Sequence, residues 1–291
     1  MATANTVLSR RHCPVATGKN QPVAESKLAT YIADMSCDIV ALRTFYASAI
    51  GRQVERSLAL ALKKFVKPFV GQRVLGFGYP TPWLDVMGVE ADRTLAFMPA
   101  GQGAYPWPVK EPTRTALVFE EDLPLPDAAV DTVLMVHALE HAQSPRDTLA
   151  EFWRVLSPNG RLIIVVPSRR GLWARFEHTP FGTGRPYSMG QMKALLREAG
   201  FSVEETGEAL HSPPFKRRAF MKFWTPFETA GQKLWPVFAG VLIIEARKRV
   251  FQGIAVTPKK SRRVFVPVLA PQGYGREEVI RVALDSLKTQ R

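Results

Sequence analysis

Between Asp38 and Val66 apolar residues recur at helical spacing: Ile39, Leu42, Tyr46, Ile50, Val54, Leu58, Leu62 and Phe65. Asp38 is placed to cap this helix, and Gly51 to bend or split it. Short, nearly continuous apolar runs then alternate with amphipathic stretches. The runs predict strands over 73–77, 94–97, 115–119, 132–136, 161–166, 201–210 and 240–247. Helices are expected over 81–87, 144–156 and 188–199, the first with Thr81 as cap and Pro82 in its first turn. Residues 1–37 show no apolar period and read as a disordered extension.

The stretch 123–167 carries the most information. A loop, a buried strand, a polar cluster, an amphipathic helix, a turn and a second buried strand follow in order. Such an order is a strand–helix–strand crossover and implies a parallel sheet with helices on its faces. The fold class is therefore α/β, a three-layer sandwich around a doubly wound, mostly parallel seven-stranded sheet. Its domain spans 38–248, followed by a flexible basic tail over 249–291 in which 277–287 is able to form a short helix. Ligands of open parallel sheets bind beyond the C-terminal ends of the strands. His137, Glu140 and His141 fall just past the end of strand 132–136, so a site is expected there.

Charge changes this picture little. The chain has 291 residues and a formal net charge of +13. Of this, the last 43 residues carry +6 and the first 35 carry +2, which leaves +5 for the rest. That field suits weak attraction of the tails to nucleic acid or a membrane surface, or simply a solvated tail. Only Cys13 and Cys37 occur, without metal-ligand spacing, which argues against a disulfide framework or zinc site and for a reducing, cytoplasmic setting. No apolar run approaches the roughly 20 residues that span a bilayer.

The segment Leu123-Pro124-Leu125-Pro126-Asp127, with Val130-Asp131-Thr132-Val133 and Glu151 through Leu162 (EFWRVLSPNGRL), resembles class I S-adenosylmethionine-dependent methyltransferases of the type 11 small-molecule group. Asn159 stands where that family's R-V-L-x-P-G-G motif has its first glycine. Arg185-Pro186-Tyr187-Ser188 and Leu195 to Phe201 fit the family's next helix and strand, so the likeness runs over about residues 73–247. The resemblance implies S-adenosylmethionine as methyl donor and a small or lipid-like acceptor. It maps the donor loop onto Gly76-Phe77-Gly78-Tyr79-Pro80-Thr81-Pro82, where the family has D/E-x-G-x-G-x-G. Only Gly78 is retained in register, and each proline removes a backbone donor. Met98 stands where a carboxylate normally accepts from the ribose hydroxyls, and Gln102 is a candidate replacement acceptor. Glu121 and Asp122 fall where the family contacts the adenine amine. These departures predict donor binding that is weak or absent. The alternative function is a catalytically inactive methyltransferase-like module that binds a ligand or a protein partner.

The remaining candidates are read from the residues themselves. His137, His141 and Glu140 are the catalytic candidates, since methyl transfer needs an acceptor positioned and one proton removed; equally, His137 packs under the loop and Glu140 caps a turn. No third ligand accompanies the two histidines, so no metal is expected. Arg169, Arg170, Arg175, His178, Arg185 and Tyr187 form a polar rim suited to an anionic acceptor, or merely solvated loops. Trp173, Phe176 and Phe181 are packing residues or an acceptor wall. Lys216, Arg217, Arg218 and Lys222 among Phe215, Phe220, Phe223 and Trp224 suit an amphipathic cover, or contact with RNA or a membrane surface.

Overall fold

The structure is a computed structural model and describes residues 38–65, 68–214 and 238–250. The expected extension over 1–37, the aromatic and basic stretch from Phe215 and most of the C-terminal tail lie outside these residues. Seven strands form one sheet: β1 (Arg73–Gly78), β2 (Arg93–Pro99), β3 (Thr115–Val118), β4 (Val130–Val136), β5 (Leu156–Pro167), β6 (Phe201–Ala209) and β7 (Val241–Lys248). Their order is β3-β2-β1-β4-β5-β7-β6, and only β7 runs antiparallel to its neighbours. The order reverses at β1 and β4, which makes the C-terminal ends of these two strands the place where an open sheet offers a cleft.

Strands β1 and β4 are apolar almost throughout because both their faces are covered. One face packs under α1 (Ile39–Ala47), α2 (Ala49–Phe65) and α3 (Thr81–Met87), with Leu42, Val54, Leu58, Leu62, Trp83 and Ile163 in the core. The other packs under α4 (Pro145–Val155) and α5 (Met189–Glu198), around Phe77, Met135, Leu149, Phe152 and Leu196.

The N-terminal helix divides at Ser48, not at Gly51. Asp38 caps α1 as expected, accepting from Val40 N. The Ser48 hydroxyl donates to Phe45 O at the end of α1 and accepts from Gly51 N in the first turn of α2, so one side chain closes one helix and opens the next. Gly51 matters differently: a Cβ there would stand 2.0 Å from Phe45 O, so glycine admits the close corner. A second difference is β5, which begins at Leu156 directly after α4, five residues earlier than the apolar run suggests. Asn159, at φ 62°, turns the chain within this early part.

The acidic and arginine motif of α4 works as a clip. Arg154 donates to Leu123 O, Leu125 O, Asp127 and Glu151, and Glu151 accepts from Leu123 N at 2.8 Å. The whole loop before β4 is thereby tied to the helix after it. The Arg154 guanidinium holds the Glu151 carboxyl below its ordinary range. At the foot of the sheet Asp131 accepts from the backbone and guanidinium of Arg73 and from the Ser157 hydroxyl, and Arg73 above all holds its carboxyl down at about 2.

Candidate functional site

The loop after β1 closes on the protein itself. Gly78 has φ 83°, and a Cβ there would meet Val136 O at 2.3 Å and Ala138 Cβ at 2.9 Å, so glycine is required by the approach of β1 to β4. Over Gly76, Pro80 Cγ and Leu84 Cδ1 already occupy the space of a side chain, each 2.4 Å from an ideal Cβ. Thr81 does not cap α3: its hydroxyl is bonded to that of Tyr105, and Pro80 holds the cap position. Tyr79 follows, buried, its N–H donating to Val136 O. Its ring stacks on that of Tyr46 with centroids 5.1 Å apart and 16° between planes, and lies 6.0 Å from Tyr105. Burial, reinforced by Tyr105, pushes the Tyr79 hydroxyl far above its ordinary pKa.

His137 is the first residue beyond β4 and has φ 52°, an uncommon backbone region for a non-glycine residue. The turn directs a buried ring into a three-member chain: Tyr46 Oη lies 2.8 Å from Nε2, and Glu140 Oε1 lies 3.2 Å from Nδ1. The consistent pattern has Nδ1–H donating to the carboxylate and Nε2 accepting from the tyrosine. Phe181 flanks the imidazole at 4.8 Å and Trp173 flanks Phe181 at 5.4 Å; both are fully buried, so they are packing residues. The Gln102 amide donates to His137 O. Gln102 Oε1 and Glu140 Oε2 are buried and have no hydrogen-bond partner among the described residues. Such an atom costs about 1–3 kcal/mol, and native structures keep few of them.

The other expected residues divide between this cluster and its margins. Met98 is fully buried and its sulfur accepts from Tyr105 N at 3.4 Å, which explains an apolar residue at the end of β2. Glu121 and Asp122 are exposed in the turn after β3; their neighbour Glu120 accepts from Gln143 N in the loop after β4. The His141 ring lies against Gly184, where a Cβ would come within 2.9 Å of it. Arg169, Arg170, Arg175, His178 and Arg185 are exposed beyond β5, with Tyr187 half-buried and bonded to Leu139 O. Sequence reasoning missed the roles of Tyr46 and Tyr105. The one available signal was a tyrosine hydroxyl within the otherwise aliphatic face of the first helix. Among the described residues no three His, Cys, Asp or Glu side chains are grouped to hold a metal ion, and no helix is long and apolar enough to cross a membrane.

The sheet order, its single antiparallel strand and a polar cluster at the switch point define a Rossmann-like methyltransferase fold. Known proteins agree. The family model "Methyltransferase domain" matches residues 76–164. A probable S-adenosylmethionine-dependent methyltransferase of Mycolicibacterium smegmatis is 35% identical over 92 residues, covering 31% of this chain and 35% of that one. The 27-O-demethylrifamycin SV methyltransferase of Amycolatopsis mediterranei is 36% identical over 90 residues, covering 28% of this chain and 33% of that one. The matches thus span about a third of these curated relatives. A crystal structure of a SAM-dependent methyltransferase from Thermotoga maritima shares the fold, with a TM-score of 0.51 at 18% identity over 75% of this chain and 99% of that one. Residues 76–164 therefore match a methyltransferase domain and are similar to S-adenosylmethionine-dependent methyltransferases, whose cofactor is S-adenosylmethionine.

Whether the residues present suit that donor differs along the cleft. Gln102 Oε1 is an unpartnered buried acceptor and suits a hydroxyl donor such as a ribose. Around the glycine loop, by contrast, Pro80, Leu84 and the stacked Tyr79 and Tyr46 rings fill the space with protein.

Proposed function

We propose that this chain is a methyltransferase of low donor affinity, acting on a small, anionic acceptor. The observation that carries this reading is the pair of orphaned acceptors, Gln102 Oε1 and Glu140 Oε2, on the two side chains bonded to His137. A buried polar group without a partner is retained where it serves something other than stability. Gln102 is the residue to hold the ribose end of S-adenosylmethionine, which when bound supplies an electrophilic methyl group. Glu140 fixes the imidazole so that Nε2 is its accepting nitrogen. An acceptor hydroxyl that replaces Tyr46 at Nε2 would hand its proton there. The exposed arginines beyond β5 favour an acceptor with a carboxylate or phosphate. The relative from Amycolatopsis mediterranei is named for a non-protein acceptor, 27-O-demethylrifamycin SV.

A second reading has its own support. Pro80 over Gly76 and Tyr79 against Tyr46 favour a module whose donor seat is permanently closed and which works by binding a ligand or partner. Calorimetric titration with S-adenosylmethionine and its demethylated product separates the two. The first reading expects weak, saturable heat from the wild type, about tenfold tighter binding for Tyr79→Ala, and a loss of about tenfold or more for Gln102→Leu. No heat from the wild type or from Tyr79→Ala at millimolar donor establishes the closed module.

A further inference from the structure

At the opposite end of the sheet, far in the fold from the strand ends that carry His137, an open cleft of about 490 Å³ lies at the foot of β4, β5 and β7. Pro68, Gln72, Ser157, Asn159, Arg161 and Arg247 are among its walls. Its volume lies within the range that takes a small organic molecule. The electrostatics of these walls are unusual in one respect. Arg161 and Arg247 are directly opposed in the antiparallel pairing of β5 with β7. Like charges in that relation destabilise a sheet.

Among the described residues little compensates this repulsion. Glu245 is the nearest carboxylate, and its Oε1 stands 3.9 Å from Nη1 of Arg161 and 3.9 Å from Nη2 of Arg247, beyond hydrogen-bond length for both. Arg161 is 8% exposed, yet the one hydrogen bond of its side chain among the described residues is from Nη2 to Gln72 Oε1 at 3.1 Å, with the Phe69 ring centroid 5.9 Å from its Cζ. That oxygen also accepts from Thr132. The acid that lines the cleft, Asp131, is engaged by Arg73 and Ser157. Among the described residues the two guanidinium groups thus share one distant carboxylate, and Gln72 Oε1 is the one acceptor within hydrogen-bond length of the Arg161 fork.

We propose that this cleft is a binding site for a small oxyanion, a phosphate ester or a carboxylate, gripped between Arg161 and Arg247. The anion relieves the repulsion between the opposed arginines and supplies acceptors in the planar arrangement that a guanidinium recognises. Gln72, also in the cleft wall, orients Arg161 by accepting from its Nη2. The site is separate from the donor cleft and does not depend on methyl transfer.

The test is calorimetric titration of the full chain with inorganic phosphate and, separately, with malonate, against a constant chloride background. Saturable binding of at least one anion is expected, weakened about tenfold or more in Arg247→Gln, which alters a partly exposed side chain. Preference for phosphate over malonate identifies a phosphate ester as the natural ligand, and the reverse a carboxylate. Arg161→Met should abolish binding. If that variant does not fold, Arg247→Gln alone decides. Absence of saturable heat with both anions, or affinity unchanged in Arg247→Gln, overturns the proposal.

Discussion

Tyr46 Oη and His137 Nε2, 91 positions apart in sequence, lie 2.8 Å from each other in the core. The contact joins the first described helix to the end of the central strand. Tyr46→Phe keeps the ring stacked on Tyr79 but leaves a buried imidazole nitrogen without its donor. Stability should fall by about 1–3 kcal/mol in chemical denaturation. A change near zero would mean that water replaces the tyrosine hydroxyl and that the ring alone anchors the helix.

Gly78 predicts a larger effect. Alanine there needs a positive φ and meets Val136 O, so Gly78→Ala should cost more than about 3 kcal/mol or prevent folding. Expression followed by thermal melting reads this. A fully stable variant would show that β1 and β4 can separate at their ends, and hence that the loop has room for a ligand.

Arg154→Ala should loosen the loop before β4, because two carbonyls and two carboxylates lose their shared donor. Asp127 is exposed and Arg154 itself is partly exposed, so a loss of about 1–3 kcal/mol is expected rather than the sum of its bonds. Hydrogen exchange should rise over 123–127 with β4 itself still protected. Unchanged exchange there would remove the clip.

The Arg73–Asp131 pair sets a pH signature. Asp131 has its folded pKa depressed to about 2 by Arg73, below the ordinary 3.8. A depressed carboxylate contributes stability that is fully present above its unfolded pKa and is lost as pH falls through the folded value. Wild type should therefore lose this contribution between about pH 4 and pH 2, whereas Asp131→Asn, already without it, should have a flatter acid limb. Both side chains are partly exposed, so the difference should be modest. Parallel acid limbs would show that the pair is screened out.

The fold could be read from the chain because its informative residues act locally. The 3.6-residue period of α1 and α2, the continuous apolar runs of β1 and β4, and the crossover from β4 through α4 to β5 each report a short-range regularity. Positions for His137, Glu140 and the arginine rim followed from that order alone. Ser48 was not legible as the helix break, since its role depends on Phe45 O and Gly51 N meeting around one hydroxyl. The aromatic filling was also hidden. Tyr46, Tyr79 and Tyr105 are 26 to 59 residues apart, and nothing in their spacing states that their rings converge. Met98, missing a carboxylate when read as a ligand position, makes sense once the Tyr105 N–H is seen to point at its sulfur. Placing an aspartate there would bury a charge rather than restore an acceptor.

The seat of α1 bears on how quickly anything can reach His137. Ile39 N donates to Gln102 O, Asp38 caps the helix beside Gly103, and the His137 ring is 1% exposed. No molecule can touch that ring until some neighbouring group has moved away. Apparent affinity is then the intrinsic affinity multiplied by the population of the opened form, so an opening present about 1% of the time weakens binding about a hundredfold. Arrival becomes limited by opening rather than by diffusion, and an observed association rate would level off as ligand concentration rises.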